Sequence, residues 1–257
     1  MLNLNGIQSS VRKISALLIV LMLAGCASGG MDRDPSDGIF DPNETGNRKV
    51  HAFNRGLDRA LVRPAAKGYT NILPDEVEDI VSNFAANLGE PADMTNGLLQ
   101  GNIKGVGIAA ARFLINSTLG LAGMFDVAGD FGIEQYDTNF GETLHVWGAE
   151  EGPYVELPVL GPSTQRDAWG IAVDLFTNPL VYVIPTPEAY YAPVATGAAR
   201  LGDRGRYADV IDSILYESAD SYAQARLIYL QNRRFDLGQE DPSASAIDPF
   251  ALDTEGF

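Results

Sequence analysis

The apolar stretch at residues 105–129, GVGIAAARFLINSTLGLAGMFDVAG, constrains the fold more than any other part of this chain. It is the longest apolar run outside the N-terminus, yet Arg112 and Asp126 interrupt it and it contains five glycines. A helix that crosses hydrocarbon needs about 20 predominantly apolar residues, whereas runs of about 10 to 14 form buried or interfacial segments. Small residues also let helices pack closely inside or beside a bilayer. The stretch therefore predicts a helical protein that lies in one face of a membrane without crossing it.

The first 25 residues have the pattern of an export signal. Arg12 and Lys13 precede an apolar segment at residues 14–23, and small residues follow it before Cys26. This segment is too short to remain as a span, so we predict a signal peptide at residues 1–25 and leave it out of the fold.

Cys26 is the only cysteine, which excludes an intramolecular disulfide. Leu-Ala-Gly-Cys resembles the bacterial lipoprotein processing box, which implies cleavage before Cys26 and acylation of that residue; the alternative is an ordinary signal peptide followed by an incidental cysteine. Several acyl chains anchor a protein far better than one, because each buried CH₂ contributes about 0.8 kcal/mol. Ala27, and not an aspartate, follows Cys26, so an inner-membrane retention signal of the enterobacterial kind is absent. We therefore expect a lipid anchor at Cys26 in the outer membrane, on its periplasmic face.

The charge of the chain argues against nucleic acid as a partner. The formal net charge is −16, and removal of Arg12 and Lys13 leaves 16 basic residues against 34 acidic ones, a formal charge of −18. Such a chain has little general attraction for nucleic acid or anionic lipid. Any basic surface must be local.

One local basic surface is predicted on a helix at residues 47–61. Its apolar residues recur at helical spacing on one side and its arginines cluster on the other, and we expect Pro64 to end it. Two interpretations remain open: a surface helix with a solvated charged face, or a helix at the lipid headgroups whose arginines reach phosphates. The apolar positions are Val50, Phe53, Leu57 and Leu61, and the basic ones are Arg48, Arg55, Arg59 and Arg63.

The rest of the chain predicts a mainly α, single-domain fold with little or no β structure. Prolines and glycines mark the expected boundaries, since Pro cannot continue a helix and Gly-rich segments form turns. We predict helices at residues 75–88 and 92–100 separated by Glu90-Pro91, a glycine- and proline-rich loop region at 130–166 with a candidate strand at 154–160, a helix at 167–178, short segments among Pro179, Pro185, Pro187 and Pro193, and a helix at 207–234 with a break near 218–221.

Composition also divides the chain into regions. A Gly-, Asp- and Pro-rich tether is expected at residues 26–46, the folded domain at 47–236, and an acidic disordered tail at 237–257.

The sequence contains no complete catalytic or metal-binding pattern. His51 and His145 lack a metal-ligand spacing, and an acylated Cys26 offers no thiol nucleophile. The chain contains no G-x-S-x-G elbow. Gly105-x-Gly107-x-x-Ala110 does not follow a predicted strand, as a dinucleotide loop would. We therefore expect no enzyme activity, no cofactor and no metal.

Several long phrases, in one order behind the lipoprotein signal, resemble the MlaA/VacJ family of outer-membrane lipoproteins. The resemblance extends from residue 41 to about residue 236. The phrases are AFNR at 52–55, VRPAAKGY at 62–69, SNFAANLGEPADMTNGLLQG at 82–101, RFLINSTLGLAGMFDVAG at 112–129, FGETLHVWGAEEGPYVELPVLGPSTQRD at 140–167 and DSYAQARLIYLQNRRFD at 220–236.

The resemblance implies a ring of amphipathic and short apolar helices in the inner leaflet of the outer membrane, around a polar-lined channel. Phospholipids misplaced in the outer leaflet would pass through it to a soluble periplasmic lipid carrier (MlaC-like). The family also associates with trimeric porins. Polar groups along such a route would lower the cost of moving a charged headgroup through hydrocarbon, which is otherwise several kcal/mol or more.

The resemblance also implies which residues form the lipid path and its gate. It points to the segment at 119–129 and the loop at 140–152 as lining and gate, and to the N-terminal helix as the element that holds the channel closed. Arg112 is either a headgroup contact or a buried partner of Asp126. The predicted path comprises Arg112, Asn116, Leu119, Gly120, Gly123, Asp126, Phe140, Gly141 and Thr143, and the gating helix carries Phe53, Asn54 and Leu57.

The rival interpretation is a scaffolding lipoprotein that organises a porin or envelope complex and moves no lipid. It predicts a solid core with no continuous polar route.

Overall fold

The computed structural model describes residues 39–239, and a long helix opens this region. Helix α1 (Glu44–Leu57) continues through a π-helical turn (Asp58–Val62) into α2 (Arg63–Ile72). The residues at both junctions keep right-handed helical dihedral angles, so the backbone does not break between the three segments.

The remaining described elements are mostly helices around one small sheet, which confirms the predicted mainly α fold. The sheet is an antiparallel hairpin in which Tyr154 faces Thr164. The elements are α3 (Asp75–Gln100), α4 (Ile103–Thr118), α5 (Val127–Asp130), α6 (Phe140–Val146), β1 (Tyr154–Leu157), β2 (Gly161–Thr164), α7 (Gln165–Thr177), α8 (Leu180–Val183), a 3₁₀ turn (Glu188–Tyr190), α9 (Tyr191–Arg206), α10 (Ala208–Asp212), a π-helical turn (Ser213–Glu217) and α11 (Ser221–Asp236).

Five of these helices begin at a polar residue whose side chain accepts a hydrogen bond from the first turn. This arrangement satisfies backbone N–H groups that have no partner within the helix, and it is why Asn, Asp and Thr precede helices. The capping residues are Asn102 for α4, Asp126 for α5, Asn139 for α6, Thr164 for α7 and Asp220 for α11.

Two predicted helix ends at prolines were wrong. Pro64 lies within the continuous helix, directly after the π-helical turn Asp58–Val62, and Pro91 lies inside α3. Buried polar contacts hold α3 on both sides of Pro91: Glu90 pairs with Arg112, and Asn96 binds Thr143. Tertiary contacts therefore outweigh the helix-breaking tendency of this proline.

The C-terminal half follows the prediction more closely. Helix α7 is present within two residues of its expected bounds, and the break near residues 218–221 separates the π-helical turn from α11. Short segments occur at residues 180–190, but α9 is a full helix that was not predicted. Pro193 falls in its first turn, where proline does not break a helix.

The elements form a closed cycle of contacts. Helix α2 packs on α9, α9 on α3, α3 on α6 and α6 on α7; α7 contacts the β-hairpin, which returns to α1. Because α1 and α2 are one continuous helix, this cycle of contacts closes on itself.

The interior of this cycle is polar and the exterior is apolar. Among residues 39–239, buried polar and charged side chains outnumber buried hydrophobic ones, and the fully buried set includes Glu90 and Asn96 beside Leu230. Large hydrophobic side chains such as Phe53, Leu114 and Phe176 are more than half exposed. Extended apolar exteriors of this kind mark contact with a membrane or a partner protein.

Within the described region, no helix combines the length and the hydropathy needed to cross a membrane. The signal peptide, Cys26 and most of the predicted tether and tail lie outside the described residues. The packed region begins before the predicted boundary at residue 47, since α1 starts at Glu44 and the carbonyl oxygen of Phe40 accepts a hydrogen bond from Tyr154 N–H at 2.8 Å.

Charged groups from three elements meet where the cycle closes. The Arg204 guanidinium on α9 donates to both carboxylate oxygens of Asp58 at 2.8 Å and to Asp212 at 2.7 Å. Tyr216 donates to Asp58, and Arg63 donates to Asp212. Burial by itself raises the pKa of Asp58, but the bonds from Arg204 and Tyr216 outweigh it and hold that pKa below its usual range.

Replacement of Arg204 by leucine should lower the free energy of unfolding by about 3 kcal/mol or more, because it leaves the carboxylate of Asp58 without its guanidinium partner in a buried site and leaves Asp212 with Arg63 alone. Arg48→Leu is the matched control: it removes exposed pairs with Glu44 and Asp220, which we expect to change stability by about 1 kcal/mol or less. Denaturant unfolding of both variants measures the difference. Equal losses would show that the Arg204 cluster does not hold the cycle closed.

Candidate functional site

A cavity of about 960 Å³ lies between α7, α9, α11 and the β-hairpin. Three helices line it with one face each, at the i, i+3, i+4, i+7 spacing that places side chains on one side of a helix. Helix α9 contributes Pro193, Thr196, Gly197 and Arg200, α11 contributes Tyr229, Asn232, Arg233 and Asp236, and α7 contributes Asp167, Ala168, Ile171, Ala172, Asp174 and Leu175. The segment 137–139 and the hairpin loop around Pro158 complete the lining.

One part of the cavity wall is ionic and internally bonded. Arg233 donates to both oxygens of Asp167 at 2.9 and 3.0 Å, and also to the side-chain oxygen of Asn139 at 2.9 Å. Tyr229 and Thr164 donate to the same carboxylate. Burial raises the pKa of Asp167, but the Arg233 guanidinium and the Tyr229 hydroxyl outweigh burial and keep the carboxyl ionised.

A second part of the wall is apolar. Leu157 and Leu160 from the hairpin face the cavity together with Ile171 and Leu175 from α7 and Pro193 from α9. The cavity therefore offers a charged region and a hydrocarbon region to one occupant, the combination that an amphiphilic molecule requires.

The predicted gating helix α1 is fastened to the β-hairpin by a polar stripe. Asn47 exchanges hydrogen bonds with the hairpin backbone at Tyr154 and Glu156, and His51 Nδ1 lies 3.2 Å from the Glu156 carboxylate. Asn54 donates to the carbonyl oxygen of Leu157 at 2.9 Å and accepts from Val159 N–H at 2.7 Å. The other two predicted gating residues differ in burial: Phe53 is 54% exposed, and Leu57 is half-buried.

Three arginines of α1, the π-helical turn and α2 contact groups from the C-terminal part of the chain. Arg48 binds Asp220 through two hydrogen bonds at 2.8 and 3.0 Å, Arg63 binds Asp212, and Arg59 lies over the Tyr216 ring. Neither interpretation of the basic face anticipated these pairs, because the acidic partners lie more than 140 residues away in the chain. The apolar positions Phe53 and Leu61 point outward instead.

The structure brings Arg112, Asn116 and Asp126 together. Arg112 is 4% exposed and donates to Glu90 at 2.9 Å and to Asp126 at 3.0 Å. Asn116 donates to the same Asp126 oxygen at 2.9 Å and accepts from Ala128 N–H. Of the two roles considered for Arg112, the structure shows the buried partner of Asp126.

This ionic cluster supports a turn at residues 119–125 that presents apolar side chains outward. Leu121, Ala122 and Gly123 all have positive φ, a conformation that costs a non-glycine residue about 1–2 kcal/mol. Gly120 and Gly123 lie so close to Asn116 and Asn87 that a Cβ atom would collide with them. The exposed side chains of the turn are Leu119, Leu121, Met124 and Phe125.

Phe140, Gly141 and Thr143 lie on α6, behind the ionic wall of the cavity. Phe140 N–H donates to Asp174, and a Cβ on Gly141 would collide with the Asp167 carboxylate. Thr143 is fully buried and donates to the Asn96 side chain at 3.1 Å.

None of the residues predicted for the lipid path is among those that line the cavity. The lining residues on α7, α9 and α11 were missed, although their i, i+3, i+4, i+7 spacing was present in the sequence. That signal cannot show whether a face lines a cavity or packs against a neighbour.

Asp93 on α3 is a buried carboxyl beside the segment 137–139. Its oxygen accepts a hydrogen bond from Thr138 N–H at 3.3 Å, but burial raises its pKa to about 8, with a further contribution from nearby Asp137 and Glu90.

A family model for the MlaA lipoprotein matches residues 39–236, the whole cycle of helices and its cavity. This chain belongs to the MlaA lipoprotein family. Within the described residues, no cluster of three or more His, Cys, Asp or Glu side chains could hold a metal ion.

Relatives of this MlaA-family chain come from several bacteria. It is 36% identical to the intermembrane phospholipid transport system lipoprotein MlaA of Escherichia coli, over 91% of this chain and 95% of that protein. A protein of the same name from Haemophilus influenzae is 31% identical over 86% of this chain and 88% of the relative. An uncharacterized protein of Rickettsia felis is 36% identical over 77% and 78% of the two chains.

A solved chain from work on the structural basis for maintenance of bacterial outer membrane lipid asymmetry has a similar fold. It is 31% identical, superimposes with a TM-score of 0.63, and the match covers 77% of this chain and 98% of that one.

Because the pKa of Asp93 is raised in the folded protein, the free energy of unfolding should depend on pH. The unfolded chain loses the Asp93 proton near the ordinary value of 3.8, whereas the folded protein keeps it to about pH 8. The folded state therefore binds more protons between these values, and the contribution of Asp93 to stability falls as pH rises from about 4 to about 8. As pH rises over this range, the free energy of unfolding of Asp93→Asn should fall less than that of the wild type. Denaturant unfolding of both proteins between about pH 4 and pH 8 measures this difference. Parallel curves of unfolding free energy against pH would contradict the prediction.

Proposed function

We propose that this protein is the outer-membrane lipoprotein of a lipid-asymmetry pathway. It lies in the inner leaflet, anchored through Cys26, and provides a path by which phospholipids misplaced in the outer leaflet reach a soluble periplasmic lipid carrier. On this proposal it moves lipid and catalyses no reaction. The names of the relatives support the pathway, and the family match supports the lipoprotein anchor.

The cavity is the observation that carries the proposal. Its volume of about 960 Å³ lies at the upper end of the range of about 300–1,000 Å³ typical of ligand sites. It joins ionic groups at Asp167 and Arg233 to apolar side chains at Leu157 and Ile171, within a protein whose outer surface is apolar. Charged headgroups cross hydrocarbon only at high cost, so a polar interior with an apolar exterior lowers the barrier for a lipid while the protein remains in the leaflet.

In our proposal, the residues predicted for the lipid path form the entrance to the cavity and hold it in place. The turn at residues 119–125 places Leu119, Leu121 and Phe125 outward in contact with acyl chains, and the buried cluster of Arg112, Asn116 and Asp126 fixes its base. Gly141 and Phe140 support the Asp167 side of the cavity from α6.

A trimeric porin and an MlaC-like carrier complete the proposed pathway. Both proposals rest on the family resemblance, and the apolar exterior of the cycle is suited to a membrane-embedded partner. The competing function is a scaffold that organises the porin without moving lipid; no observation on the cavity favours it.

Loss of the protein should increase the amount of phospholipid on the cell surface several-fold, because nothing would return misplaced lipid. A lipase that cannot enter the cell measures the exposed phospholipid in strains with and without the gene, and a wild-type copy should reverse the increase. No change would overturn the lipid-removal proposal in favour of the scaffold.

Cys26→Ala should fail to reverse the increase, since the protein would lose its acyl chains and with them its place in the membrane. Accumulation of the variant is checked by immunoblotting. Full complementation by a stable variant would contradict the lipoprotein anchor.

Deletion of Phe53 and Asn54 should damage the membrane barrier even beside an intact copy. The deletion rotates the preceding residues of α1 by about 200°, at 100° per residue, and so moves Asn47 and His51 away from the β-hairpin. If α1 holds the lipid path closed, displacement of α1 from the hairpin leaves the path open. Phe53→Ser is the control, because this exposed apolar side chain has no group that could hydrogen-bond to the hairpin, and Asn54 remains. A deletion that is harmful only without the intact copy would argue against a gating role for α1.

A further inference from the structure

The charged groups that line the cavity are not all satisfied by one another. The lining includes four carboxylates and two guanidinium groups, an excess of two negative charges in the fully ionised state. Asp167 and Arg233 bind each other, and Asp174 accepts hydrogen bonds from Asn96 and from Phe140 N–H. These groups build the wall and have little capacity left for an occupant.

Three charged groups in the lining remain available. The side chains of Asp137 and Arg200 make no hydrogen bond or ion pair among residues 39–239, and the Asp236 carboxylate accepts only from the Asn232 amide, at 3.2 Å. All three side chains are exposed. Arg200 lies on α9, whereas Asp137 and Asp236 come from the segment before α6 and from the end of α11. Both carboxyls belong to the cavity lining; partial burial and then the charge of Asp236 raise the pKa of Asp137, and the charge of Arg233 lowers it. A cation between them would remove this repulsion.

The cavity therefore presents a guanidinium and two carboxylates that the protein leaves free for an occupant, beside an apolar wall. A zwitterionic phospholipid with a primary ammonium carries the complement of each: a phosphate for Arg200, three N–H donors for the carboxylates, and acyl chains for Leu157, Ile171 and Leu175. An anionic headgroup offers the phosphate but no cation, and it meets the excess negative charge. A quaternary ammonium offers charge but no N–H donor.

We propose that this cavity selects phospholipids whose headgroup carries a primary ammonium, as in phosphatidylethanolamine, through Asp137 and Asp236, and that Arg200 holds the phosphate. This inference rests on the proposed function, because it names the lipid class that the path admits. Arg200 contributes to the binding of every phospholipid, whereas Asp137 and Asp236 determine the preference among headgroups.

The test is photo-crosslinking of the full-length lipoprotein in neutral detergent micelles. Phosphatidylethanolamine, phosphatidylcholine and phosphatidylglycerol are supplied at equal concentration, with identical acyl chains that carry the photoreactive group at the end of one chain. Mass spectrometry of the crosslinked protein measures the share of each lipid. The wild type should capture phosphatidylethanolamine about tenfold more than phosphatidylglycerol, the ratio that about 1.4 kcal/mol produces.

Two variants separate the roles. The double variant Asp137→Asn, Asp236→Asn should reduce the preference to about twofold or less and still bind lipid. Arg200→Gln should lower the capture of all three lipids alike. The matched control, Glu134→Gln with Asp209→Asn, removes two exposed acidic groups outside the cavity and should keep the wild-type ratio.

Each other outcome overturns a defined part of the proposal. Equal capture of the three lipids by the wild type refutes headgroup selection and leaves the lipid path intact. Phosphatidylcholine captured as well as phosphatidylethanolamine refutes the role of the N–H donors. A preference that survives the double variant refutes the assignment to Asp137 and Asp236. No capture of any lipid by folded protein, as judged by circular dichroism, refutes the proposed function itself.

Discussion

Ion pairs between distant segments hold this fold together, because the interior contains few large hydrophobic side chains. Arg204 joins α9 to the π-helical turn after α1, Arg226 joins α11 to Asp41, Arg233 joins α11 to α7, and Arg112 joins α4 to α3 and Asp126. Each arginine is mostly buried, so loss of its partner leaves a charge without solvent, which costs several kcal/mol. These pairs therefore determine which elements can lie side by side.

The polar interior has a direct consequence for the outer surface. A chain with 46% hydrophobic residues that buries charges must expose hydrophobic side chains elsewhere, and here they cover the outside of the cycle. In water this would be a liability; in a leaflet it is the stable arrangement, because acyl chains solvate the exterior and the enclosed polar groups satisfy one another. The cavity belongs to the same arrangement, since helices joined by side-chain ion pairs leave space between their backbones.

Local patterns predicted part of the fold well. The periodicity of α7 and the break before α11 follow from apolar spacing and polar caps, which depend on neighbouring residues only. Pro91 and the arginines of α1 show the limit of such patterns. A buried contact between Glu90 and Arg112 overrides the proline, and Arg48 finds Asp220 across the fold. Propensity and charge patterning do not reveal partners so far apart in the chain.

The candidate site shows the same division between local and tertiary information. Arg112 and Asp126 drew attention because charges within an apolar run need a partner, and the two are bonded. Asp137, Arg200 and Asp236 carry no comparable signal, since nothing local distinguishes a charge that faces a cavity from one that faces solvent.

The sequence by itself determined the class of this protein: a lipoprotein signal, apolar segments too short to span, helix-forming periodicity and family phrases along most of the chain. Only the tertiary structure decided which side of each helix is the inside. Helical periodicity identifies an apolar face and a polar face but not their direction, and in this protein buried ion pairs turn the polar faces inward. The cavity, its lining and its unpaired charges all follow from that choice.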